Sequence, residues 1–220
     1  YLDNARSRKG KPNENYAREL MELFTLGEGQ YTEDDIRNAA RSFAGWSIDD
    51  KRWEFEERQR HMDHGRKAFM GEEGRLSGED VIETIIRQPE AAPFLAERLW
   101  RFFASETPNR HAIESISKSL KESDFQLSAA LRTLFSHEDF YHPSVIRSQI
   151  KSPVQLTVHL VRTLETAEAP GKMMANACRQ LGQILFDPPS VKGWDGGAAW
   201  ITASNLSLRY KLAGRFIGMR

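Results

Sequence analysis

The chain has 220 residues, 40% hydrophobic and 28% charged, with Lys plus Arg and Asp plus Glu balanced at 31 each. This composition and length exclude intrinsic disorder and any need for disulfide or metal staples. Zero net charge removes the field that nucleic acid or an anionic membrane would respond to, and no apolar run approaches the roughly 20 residues of a bilayer crossing.

In chain order, Tyr16, Leu20, Leu23 and Phe24 recur at helical spacing and predict a helix over Asn13 to Leu26, stopped by Gly27 to Gly29. Thr32 and Asp35 read as an N-cap with an acidic third residue. Ile36, Ala39, Ala40 and Phe43 form the apolar face of a second helix ending near Gly45, making an αα-hairpin. Over 46–70 the helical period disappears and Trp53 and Phe55 alternate with charged residues, which predicts a small β-hairpin or irregular excursion turning at Asp49 to Lys51.

Ser77 with Asp80 opens a helix through Ile86. Either Pro89 or Pro93 could take the first position of an apolar helix carrying Phe94, Leu95, Leu99, Trp100 and Phe103, expected at the core. His111 to Leu120 and Leu127 to Phe135 continue the pattern, and Ser136 to Tyr141 reads as a short capped turn. Ser152 and Pro153 begin a helix bearing Leu156, Leu160 and Leu164. Gly171 to Phe186 forms another, ended by Asp187, Pro188 and Pro189. A glycine-rich loop, Ser190 to Gly197, precedes a last helix from Leu206 to Ile217 capped by Ser204. The expected fold is all-α, an irregular bundle of about eight to nine helices in one domain over 1–220. Cys178 excludes an intrachain disulfide and is expected to be an inert packed thiol.

The stretch Asn13 to Trp46, NENYARELMELFTLGEGQYTEDDIRNAARSFAGW, resembles the signature of the bacterial family domain of unknown function 1800. FDPPSVKGWDGGAAW, Phe186 to Trp200, resembles its C-terminal signature, and the Lys151 to Pro153 helix start also matches. The resemblance covers essentially all 220 residues. It implies an α-rich fragment, roughly the C-terminal half of a longer, often exported protein. A periplasmic or exported location follows from the resemblance, as does an association with proteins of the domain of unknown function 1501. The start at Tyr1 fits a fragment whose upstream part could hold an export signal. The family carries no assigned catalytic residue. Its middle segment tends to hold a His-Asp pair ahead of a Gly and a Lys. Asp63, Gly65 and Lys67 match, while Met62 stands where the histidine is expected.

Several constellations could carry chemistry. Glu14 to Arg18, Arg18 to Glu22 and Glu19 to Glu22 are separated by four, four and three, as paired carboxylates for acid/base work or as a solvated face laced with ion pairs. His61, Asp63 and His64 are the candidate ligands for a divalent metal, with an exposed polar turn as the alternative. The loop holding Lys192, Trp194 and Asp195, followed by Trp200, offers stacking faces with polar ends. The same residues could instead pin a long loop to the helices. The loop lacks a P-loop's Gly-Lys-Ser/Thr ending, and the chain has no Gly-x-Ser-x-Gly elbow.

Two functions are therefore weighed. One is a non-catalytic binding or assembly module that uses the Trp194 loop and the helix start at Asn13, Asn15 and Arg18. The other is a metal-assisted or carboxylate-based hydrolase acting on an envelope glycan or similar polymer, with Glu14, Glu19, Asp63, His64 and Lys67 as catalytic candidates. The hydrolase requires those side chains to converge in one concave site.

Overall fold

The computed structural model describes residues 2–165 and 171–217. The chain forms two compact units, Tyr1–His142 and Pro143–Arg220. Nine α-helices and two small two-stranded sheets occur among the described residues.

In the first unit α1 spans Glu14–Glu19 and runs on as a π-helical segment, Leu20–Thr25. The sequence predicts one continuous helix there. The widening accompanies Thr25, whose hydroxyl donates to the Leu20 carbonyl five residues back at 2.7 Å. After α2 (Glu33–Ser42) the excursion resolves into two antiparallel hairpins. β1 (Trp46–Asp49) pairs with β2 (Glu54–Glu57), and β3 (Lys67–Phe69) with β4 (Glu72–Gly74). The first turn forms where predicted, because the Asp49 carboxylate accepts the N–H groups of Lys51 and Arg52 at 2.8 and 3.0 Å. Helices α3 (Gly78–Arg87), α4 (Ala91–Phe103), α5 (Arg110–Glu122) and α6 (Leu127–Ser136) follow, then a 3-10 turn, Glu138–Tyr141.

The predicted capping boxes form at Thr32/Asp35 and Ser77/Asp80, each worth about 1 kcal/mol. Neither proline opens α4, whose cap is Glu90 and whose third residue is Pro93. One core gathers Met21, Ile36, Phe43, Phe69, Val81 and Ile85. Trp100 is fully buried, and its indole N–H donates to the Thr107 carbonyl at 2.9 Å, which satisfies the only polar group of the α4 anchor.

Two glycines of this unit are fixed by space. Gly45 ends the α2 turn at φ +96°, and a Cβ there would lie 2.6 Å from Met62 Cγ. Gly78 opens α3 against the Trp46 indole, 2.5 Å from any added Cβ.

The second unit holds α7 (Pro153–Thr163), α8 (Gly171–Gln180) and α9 (Ala203–Ile217) around Ala177, Leu181 and Leu212. The Ser152 capping box forms with Gln155. Helix α8 is shorter than predicted, since Gly182 at φ +92° turns the chain well before Phe186. At the start of α9 Thr202, rather than Ser204, accepts the Asn205 N–H. Cys178 is buried and free, as expected, with its sulfur 3.6 Å from the Thr157 hydroxyl.

Candidate functional site

The segment Asp63 to Lys67 lies between the two hairpins and is bound into the first unit from both ends. Arg41, near the end of α2, donates from Nε to Asp63 at 2.8 Å and from its terminal nitrogens to Asn38 and the Arg66 carbonyl. Asp63 also accepts the Gly65 N–H at 2.8 Å. The hydrogen bond from Arg41 holds the Asp63 carboxyl below the usual aspartate range, against burial. Lys67 is only 5% exposed, and its ammonium donates to the carbonyls of Asp63, Gly65 and Leu76 at 2.6, 3.3 and 2.9 Å. Burial depresses its pKa, with the Asp63 charge opposing. Gly65 leaves room for the guanidinium, since a Cβ there would meet Arg41 Nη2 at 2.9 Å. Asp63, Gly65 and Lys67 thus form a clasp that joins α2, β3 and the entry to α3.

This arrangement does not make a metal centre of His61, Asp63 and His64. Asp63 is engaged by Arg41, His64 is exposed, and the three donors are not gathered into one group. Met62, in the position of the expected histidine, covers Gly45.

At the first signature Asn13 caps α1, accepting the Tyr16 N–H at 3.1 Å and donating to the carbonyls of Leu2 and Asp3. Arg18 bypasses the predicted partners Glu14 and Glu22. It reaches α2 and grips Glu33 with two bonds of 2.9 Å in a fork-to-fork geometry. Glu22 instead accepts the Tyr31 hydroxyl at 2.8 Å, and burial together with this bond pushes Tyr31 up to about 12. Glu14 and Asn15 are exposed and Glu19 is half-buried. No hydrogen bond or ion pair among the described residues joins Glu14 or Glu19 to Asp63, His64 or Lys67.

In the second unit Trp200 is 8% exposed, close to Gly182 in the helix packing, so its faces are closed to a ligand. Trp194 is half-buried, flanked by a weak 3.4 Å pair between Lys192 and Asp195. Ahead of it Leu185 and Val191 are exposed, and Phe186 is 97% exposed at φ +65°.

One cluster escapes the sequence reading. His111 in the first turn of α5, His137 at the end of α6 and Asp139 in the 3-10 turn bring one donor atom each within 4.8 Å of one another. His111 Nδ1 and His137 Nδ1 lie 3.4 and 3.7 Å from the same Asp139 oxygen, and the two rings meet edge to face. The spacing His-x-Asp over 137–139 is visible in the sequence, but nothing there links it to a histidine 26 residues earlier. A separate cavity of about 680 Å³ opens beside Glu83, Arg87, Lys121 and Phe125 and is lined by none of the predicted catalytic residues.

Comparison with known proteins returns a family model described as protein of unknown function (DUF1800), matching residues 1–218. No curated protein and no solved structure matches the chain.

Proposed function

Because the chain belongs to the DUF1800 family, we propose that it is a non-catalytic binding or assembly module of an exported bacterial protein, and that its partner is a protein of the domain of unknown function 1501 family. The observation that carries this reading is Phe186. Its ring is 97% exposed on a left-handed backbone, with Leu185 and Val191 exposed nearby in the chain and Trp194 beyond them. An aromatic held in solvent by an unfavourable backbone gains nothing within the chain. Burial against a partner's apolar surface would make it an interface anchor.

The hydrolase reading draws less support. Its candidates Glu14 and Glu19 lie on α1, while Asp63 and Lys67 are held by Arg41 and by backbone carbonyls in the clasp. A reacting centre needs groups free to meet a substrate, and Asp63 and Lys67 are engaged in holding elements together. No helix among the described residues is long and apolar enough to cross a membrane.

The test is a titration of the chain with a protein of the 1501 family, followed by calorimetry and size-exclusion chromatography. Phe186→Ala and Trp194→Ala should each weaken binding by about 10-fold or more while the melting temperature holds. Unchanged affinity in both variants would remove this face from the interface.

A further inference from the structure

We propose that His111, His137 and Asp139 bind a divalent late transition-metal ion, zinc in the first instance, through three protein donors with one coordination position open to water. The set is two imidazoles and one carboxylate, a chemistry suited to zinc and its neighbours and poorly suited to calcium or magnesium. With metal–ligand bonds of about 2.0–2.2 Å, donors around a tetrahedral ion stand roughly 3.3 Å apart. The two nitrogen-to-oxygen separations, 3.4 and 3.7 Å, are already near that value. The widest donor separation, at most 4.8 Å, can close by rotation of His111, whose side chain is 67% exposed.

Two long hydrogen bonds hold the cluster without an ion, and one of them runs between His111 Nδ1 and Asp139 Oδ2 at 3.4 Å. His137 Nδ1 accepts the Asp139 N–H at 3.2 Å, so that nitrogen presents a lone pair and cannot donate to the carboxylate beside it. The same nitrogen stands 3.7 Å from the Asp139 carboxylate oxygen. No Lys or Arg among the described residues is paired with Asp139, and the nearby Arg110 is held by Glu114 at 2.8 Å. A cation between the donors would take the His137 lone pair in place of the amide N–H and replace the His111 contact with a bond to the ion. The ion would tie the start of α5 to the end of α6. The exposed side of His111 provides both the entry path and the place for a water ligand. The proposal is independent of the Phe186 face, which lies in the other unit.

The experiment titrates the chelator-stripped full chain with zinc ion against a chromophoric competitor, and repeats it with cobalt(II) to read coordination from visible absorption. One equivalent of zinc should bind and raise the melting temperature. Affinity should fall at least about 10-fold in His111→Ala and in Asp139→Asn, with His64→Ala unchanged. His111 and Asp139 are partly or largely exposed, so circular dichroism can confirm that both variants fold. Absence of saturable zinc binding would overturn the proposal. So would undiminished binding in His111→Ala, or loss of binding in His64→Ala.

Discussion

Between Asp63 and Lys67 the carboxylate and the ammonium both find partners inside the fold, whereas between Ile184 and Val191 apolar side chains are left outside it. In the clasp, charges that suggest catalysis are consumed by Arg41 and three backbone carbonyls. In the second stretch, residues that would ordinarily be core stand in solvent, with a left-handed backbone at Phe186. The contrast teaches that a charged motif in a sequence marks a functional group only when the fold leaves that group unengaged. Exposed apolar side chains on a constrained backbone are then the more informative signal.

The sharpest way to break this contrast is at Lys67. Lys67→Met leaves the Asp63, Gly65 and Leu76 carbonyls without their donor and should cost about 3 kcal/mol, lowering the melting temperature by roughly 10 °C in a thermal scan. A variant that melts like the parent would mean the clasp is not structural.

Next in size is Gly45→Ala, expected to cost about 2 kcal/mol because φ +96° and Met62 both oppose a side chain. Adding Met62→Ala should restore only part of the loss, since the backbone strain remains. Complete recovery in denaturant titrations would assign the whole effect to Met62.

Asp63→Asn should cost about 1–2 kcal/mol at neutral pH. The folded carboxyl sits below its ordinary 3.8, so the folded state binds that proton less readily than the unfolded chain. Its contribution is complete above pH 3.8 and is lost as pH falls through the folded value. Acid unfolding of the variant should therefore be flatter below about pH 4 than that of the parent.

The smallest effect is expected at Phe186→Ala, within about 0.5 kcal/mol of the parent, because a ring in solvent contributes no burial. A drop comparable to that of Lys67→Met would place Phe186 in packing and dissolve the contrast.

Much of the helical framework is legible in the sequence because its signals close within one turn. Thr32 with Asp35, Ser77 with Asp80 and Ser152 with Gln155 each satisfy backbone donors three residues away, so residue identity and spacing suffice. The Asp49 turn is local for the same reason. The errors fall where a longer reach decides. Arg18 has plausible partners one turn away in Glu14 and Glu22, yet takes Glu33 on the next helix in a bidentate grip. Helix α8 ends at Gln180, ahead of the turn at Gly182, although the apolar pattern runs on to Phe186. Of the candidate surface, Trp194 stays partly open while Trp200 closes into the helices, a division that composition cannot make between two tryptophans six residues apart.

By itself the sequence determined the helical class, the capped starts of α2, α3 and α7, the non-helical excursion over 46–70 and the family to which the chain belongs. Each rests on patterns that repeat or close over a few residues, where geometry follows from the chain's own pitch. Only the tertiary structure decided that Asp63 and Lys67 form a clasp, that Phe186 stands in solvent, and that His111 meets His137 and Asp139. Those outcomes depend on how helices pack across many residues of chain, and a side chain's partner over such distances is chosen by packing rather than by spacing.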